Sequence, residues 1–131
     1  MVEKGAALKL RDIMVSGLNN RDKDASRAKQ VNRIRTCFTV IGNNIAEKGA
    51  RTLYTRVKGP DGSLLTSSPD NLFTLEGGSQ MVYSAMREVD FQGDDLEVCI
   101  FYADQDFMSG TYTVEVYMGG TLMGSSQLLL K

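Results

Sequence analysis

Histidine and tryptophan are absent from this chain, and cysteine and proline occur only twice each. Without histidine the usual neutral-pH general base is missing, along with the commonest metal ligand. Ser-His-Asp and Cys-His nucleophiles and most zinc sites are thereby excluded. The two cysteines, Cys37 and Cys99, form no Cys-x-x-Cys pair, and Gly-rich phosphate loops and nucleophile elbows are lacking too. No stretch approaches the roughly 18 uninterrupted apolar residues of a membrane-spanning helix. The opening MVEKGAALKLRD carries no apolar core of the kind a secretory leader has. Positive charge is not in excess: the net charge is −1 and the pI about 5.4, so no overall field gathers nucleic acid.

What the chain does have is alternation. In GTYTVEVYMGGTLMGSSQLLLK, residues 110–131, Tyr112, Val114, Val116 and Met118 alternate with Thr113, Glu115 and Tyr117, the period of a strand with one buried and one wet face. Gly119-Gly120 is expected to supply the positive φ angles of a two-residue hairpin turn, and residues 121–130 return as a partner strand. A hairpin alone is marginal in water, so its apolar face needs earlier strands. Ile34, Thr36, Phe38 and Val40 supply one such face, with Arg33, Arg35, Cys37 and Thr39 turned outward. Leu53, Thr55 and Val57 supply another, with Tyr54, Arg56 and Lys58 outward, and Pro60-Asp61-Gly62 closes that hairpin. Leu96, Val98, Ile100 and Tyr102 point inward, and Glu97, Cys99 and Phe101 outward.

Leu8 to Gly17 alternates but slips near Asp12, which predicts an edge strand with a bulge. Residues 21–30 hold no large apolar side chain and read as a solvated connection. Phe73 and Leu75 form a short apolar patch. Residues 80–91 also fit a helical face through Met81, Ala85, Met86 and Val89, but the glycines on either side favour a strand. The chain's 131 residues suit one domain, with residues 8–131 its body. Residues 1–7 are expected to be disordered, the end of a coiled coil, or a remnant of cloning.

About seven short strands with regular turn signals predict an all-β antiparallel sandwich of immunoglobulin-like architecture. Tyr112 stands where such folds place the tyrosine whose hydroxyl folds back on the backbone, and Val114 stands where they place the second cysteine. An inter-sheet disulfide is therefore not expected. Cys37 and Cys99 read in preference as free thiols, the alternative being a bond between neighbouring strands.

No catalytic residues, cofactor or metal ligands are assigned. The acids Glu88, Asp90, Asp94, Asp95, Glu97, Asp104 and Asp106 raise the alternative of a calcium site or a carboxylate-based hydrolase, although EF-hand spacing is missing. The run from Arg21 to Arg35 sets six cations against Asp22 and Asp24. The candidate interaction surface is Arg33, Arg35, Tyr54, Arg56, Phe101 and Tyr117, outward cations and aromatics of the type that contact another protein.

The succession KLRDIMVSGLNNRDKDASRAKQVNRIRTCFTVIGNN, YSAMREVDF, VCIFYADQ, GTYTVEVYMGG and LMGSSQLLL resembles the C-terminal domain of Bacteroidetes envelope proteins. In those proteins an N-terminal membrane helix leads into a long coiled coil and then a β-rich domain; they often carry a chromosome partitioning or segregation label. The lack of catalytic equipment beside outward aromatics and cations reads as a non-enzymatic binding or scaffold module, and the resemblance implies that it is held in the periplasm on an inner-membrane anchor. Its partner would be an envelope protein or glycan, and an upstream coiled coil would make it oligomeric. Contact with nucleic acid, or of this segment with the membrane, is not expected. The alternative it leaves is a cytoplasmic accessory of chromosome segregation.

Overall fold

Alternation becomes ladder in the computed structural model, which describes residues 8–131. The expectation for residues 1–7 lies outside these. The strands are β1 (Leu10–Leu18), β2 (Arg33–Val40), β3 (Gly49–Lys58), β4 (Leu64–Leu65), β5 (Leu72–Thr74), β6 (Gln80–Val82), β7 (Ala85–Phe91), β8 (Leu96–Ala103), β9 (Gly110–Met118) and β10 (Thr121–Leu130). A 3-10 turn, Ala28–Gln30, interrupts the long connection from β1 to β2. One sheet runs β1-β2-β8; a second, opposite it, runs β10-β9-β3, with β4 and β7 both paired to β3; β5 and β6 form a third sheet of two strands. All pairings are antiparallel. The all-β sandwich is thus as the sequence predicts, with ten strands among the described residues in place of about seven.

Two apolar clusters fill the space between the sheets, as burial of one face per strand requires. One gathers Ile34, Val57, Tyr102, Phe107, Tyr112, Val114 and Leu130; the other gathers Phe38, Val40, Leu53, Phe91, Val98, Ile100 and Val116. Each large side chain so buried contributes on the order of 1.5–3 kcal/mol. Tyr112 closes its end of the core by donating its hydroxyl to the Met108 carbonyl at 2.7 Å, the tyrosine corner anticipated above.

The predicted bulge in β1 is present. Arg11 pairs with Thr39 and Met14 with Cys37, leaving Asp12 and Ile13 opposite one residue, and Asp12 takes a φ of 57°. β1 is an edge strand, as expected.

Residues 80–91 are strand, not helix, but they break at Tyr83-Ser84 into β6 and β7, which belong to different sheets. Buried Ser84 explains the break. Its backbone N–H donates to the Thr55 carbonyl at 2.7 Å, and its Oγ accepts from Val57 N–H at 2.8 Å and donates to the Leu65 carbonyl. One serine thus satisfies β3 at the point where its neighbour changes from β7 to β4.

The turn at Gly119-Gly120 forms, but only Gly119 has the positive φ, 56°. Gly120 is needed for another reason: a Cβ there would sit 2.6 Å from Glu76 N and 2.7 Å from Thr74 O, because the β5–β6 hairpin packs against the turn. The Glu76 N–H donates to the Gly120 carbonyl at 3.1 Å.

Candidate interaction surface

The six predicted surface residues divide between two opposite faces. Arg33, Arg35 and Phe101 lie on the outer face of β1-β2-β8, where Arg35 and Phe101 are register partners. The Arg33 guanidinium carbon stands 5.1 Å from the Phe101 ring centroid, a cation–π contact. Each arginine also has an acid from the β1–β2 connection: Arg33 pairs with Asp22, and Arg35 with Asp24 at 3.1 Å. Arg35 donates further to Ser16 Oγ at 3.0 Å.

Tyr54, Arg56 and Tyr117 lie on the outer face of the other sheet, and there the expectation of exposure is corrected. The β5–β6 hairpin covers them. Phe73 stacks on Tyr54 with centroids 4.4 Å apart and planes 17° apart, and meets Tyr117 edge-on at 5.1 Å. Tyr83 adds a tilted contact to Tyr54 at 5.2 Å. Tyr117 is left 6% exposed. Arg56 is committed to structure: its Nε donates to the Val82 carbonyl at 2.9 Å, and its Nη1 meets Glu115 at 3.2 Å. Outward alternation names the face of a strand but not what lies on top of that face.

Cys37 and Cys99 are bonded, which overturns the preference for free thiols. They are register partners on β2 and β8, with Cα atoms 4.1 Å apart. The bond lies within one sheet, and the inter-sheet bridge of antibody domains is absent, as Val114 at that position requires. The sequence left the pairing open because it does not show which strands are neighbours.

The disulfide also completes a continuous apolar strip. Met14, 69% exposed, pairs with Cys37; Cys99 follows across the ladder; Phe101, 44% exposed, stands two residues beyond on the same face. A shallow depression of about 230 Å³ lies along it, rimmed by Asp12 and Glu97. Arg33 and Arg35, each paired with an aspartate, border the strip at the Phe101 end. An apolar centre with a charged rim is the anatomy of a protein interface.

The acidic residues do not converge. Among the described residues no group of three or more His, Cys, Asp or Glu is placed to hold a metal ion. Asp95 accepts from Gly42 N–H at 2.6 Å and from Arg11 at 2.9 Å, while Asp104 accepts from the Tyr102 hydroxyl at 3.0 Å. Among the described residues no helix is long and apolar enough to cross a membrane.

Two solved structures share the fold. One is the alkylpurine DNA glycosylase AlkC of Pseudomonas fluorescens bound to DNA containing an abasic site analogue, 15% identical with a TM-score of 0.57, covering 96% of this chain and 31% of that one. The other is the β-glucosidase of Kluyveromyces marxianus, 12% identical with a TM-score of 0.53, covering 96% of this chain and 14% of that one. The chain therefore spans less than a third of either enzyme, and at these identities the likeness is one of fold alone. No curated protein matches the chain. Residues 11–131 match the family model described as Domain of unknown function (DUF8428), and the chain belongs to that family.

Proposed function

We propose that this domain is a non-enzymatic binding module whose contact face is the outer side of β1-β2-β8 and whose partner is another protein of the cell envelope. The observation that carries this reading is the apolar strip Met14, Cys37–Cys99, Phe101, exposed at Met14 and Phe101 and half-buried at the disulfide. A partner with an apolar ridge fits it. The disulfide supports an oxidising compartment such as the periplasm, since cytosolic thiols are kept reduced. An anchor and coiled coil upstream, as the resemblance implies, would display the domain there.

The test is capture from envelope extract by the wild-type domain and by Met14→Lys/Phe101→Glu. A protein retained by the first and lost by the second, with melting temperature unchanged, supports the face. Equal capture by both refutes it.

A carboxylate-based or calcium-dependent hydrolase is the alternative, and would draw on the acidic residues 88–106. Their dispersal among separate hydrogen bonds speaks against it, and a calcium titration that raises the melting temperature would revive it. A role beside the chromosome, the third reading, requires cytoplasmic fractionation of the full-length protein. The DNA bound by the glycosylase neighbour does not carry over, given the net charge of −1 here.

A further inference from the structure

A second feature lies at one end of the sandwich. The β1–β2 connection, the 3-10 turn and the β8–β9 loop enclose an open cleft of about 530 Å³. We propose that this cleft binds an acidic saccharide, a sugar unit that carries a carboxylate. The inference deepens the reading of the domain as a binding module and rests on it, but concerns a different surface.

Three observations point to that ligand class. The first is the lining: five of the eight residues are carboxamides, among them Asn20, Gln30, Asn32 and Gln105, and none is acidic or aromatic. A carboxamide offers both donors and an acceptor, which matches a hydroxyl that is itself both.

The second is charge. Arg21 and Lys29 line the cleft, and neither forms a salt bridge among the described residues. The nearest acids in sequence are turned away, Asp22 to Arg33 and Asp24 to Arg35. The run 21–35 therefore neutralises its last two arginines and leaves the earlier cations for a ligand. A neighbouring depression of about 390 Å³ shares Lys29 and Gln30 and adds Arg27 and Lys131, so the positive path continues beyond one sugar unit.

The third is Asn32. Its carboxamide oxygen is buried with no hydrogen-bond partner among the described residues, a state that costs free energy until a donor arrives. The residue is fixed in place, its N–H donating to the Leu18 carbonyl at 2.9 Å and its carbonyl accepting from Asp104 N–H at 3.1 Å. Arg21, Lys29, Gln30 and Gln105, which line the cleft with it, are exposed. A bare carboxylate brings no hydrogen for an acceptor, whereas a sugar hydroxyl does. The absence of an aromatic ring from the lining disfavours single-stranded nucleic acid, which is held by base stacking.

The experiment is an NMR titration of the whole chain with a glucuronate-containing disaccharide, its neutral glucose counterpart, inorganic phosphate and a short oligothymidylate. Saturable shifts confined to residues 19–21, 29–32 and 105 are expected with the glucuronate disaccharide, with binding at least about tenfold weaker for the others. Arg21→Ala/Lys29→Ala, at exposed positions, should lose the same factor. Asn32→Leu should weaken the sugar while the melting temperature holds or rises, because an unpaired oxygen has gone. Phosphate or oligothymidylate equal to the sugar, or shifts that survive the double substitution, would overturn the proposal. Met14→Lys/Phe101→Glu should leave sugar binding intact, so loss of the protein-binding face and loss of the cleft are separate results.

Discussion

Cys37 and Cys99 face each other across the β2–β8 ladder, bonded at the point where the strands are in register, 62 residues apart in sequence. Closing a loop of that length removes entropy from the unfolded chain worth about 4 kcal/mol in the loop-closure account. The ladder on either side does not depend on the bond. Cys37→Ser/Cys99→Ser is therefore expected to keep the fold while losing about 2–4 kcal/mol, read from urea midpoints with and without reductant. Identical midpoints would mean the bond constrains nothing.

Phe73 is the peg that holds the β5–β6 hairpin against the sheet, stacked on Tyr54 and edge-on to Tyr117. Replacing this buried ring, Phe73→Ala, should cost about 3 kcal/mol. The loss should be local: amide exchange should accelerate in β5 and β6 far more than in β2 or β9. A uniform acceleration would show that the hairpin is not a separate cooperative unit.

The two turn glycines are expected to respond differently. Gly120→Ala puts a methyl 2.6 Å from Glu76 N and 2.7 Å from Leu75 C, backbone atoms that cannot swing aside. It should cost about 1–3 kcal/mol in chemical denaturation. Gly119→Asn brings a residue type tolerant of the left-handed φ, and its Cβ meets nothing within 4 Å, so it should cost little. Equal effects would place the constraint in the turn itself and not in the hairpin packed beside it.

Stability should fall at both extremes of pH. Burial pushes the Tyr112 and Tyr102 hydroxyls above their ordinary range, and the Asp104 carboxylate beside Tyr102 adds to it. The unfolded chain ionises tyrosine near pH 10. This contribution is thus intact below about pH 10 and declines as pH climbs toward the folded values. Asp95 moves the other way: the Gly42 N–H, assisted by Arg11, holds its pKa below the usual carboxylate value. Its contribution is present above that ordinary value and fades as pH falls through the lowered one. Melting curves of Tyr112→Phe and Asp95→Asn should flatten the alkaline and acid limbs respectively; unchanged limbs would assign them to other groups.

Periodicity made the interior legible: Phe38, Val57, Ile100 and Val114 are each at most 3% exposed, as alternation requires. The β1 bulge was visible in the slip at Asp12, and the tyrosine corner in the Tyr112–Val114 spacing. Coverage was not visible. β5 and β6 are three residues each, too short for a period to declare itself, so Phe73 read as part of a short apolar patch and not as the roof over Tyr54 and Tyr117. The break at Ser84 was hidden because one hydroxyl does the work of a change of neighbour. The cleft was not visible in residues 21–30 either, since only the partners of Asp22 and Asp24 show which cations remain unneutralised.

β3 receives β9 along one side and, along the other, first β7 and then β4. Every one of those neighbours arrives later in the chain, and β2 likewise waits for β8. Assembly must gather distant segments before any sheet is complete, which makes folding slow for a domain of this size. An oxidant that joins Cys37 to Cys99 early would fix the β2–β8 register ahead of β3, so the compartment's redox chemistry would set the tempo of maturation as well as the strength of the finished domain.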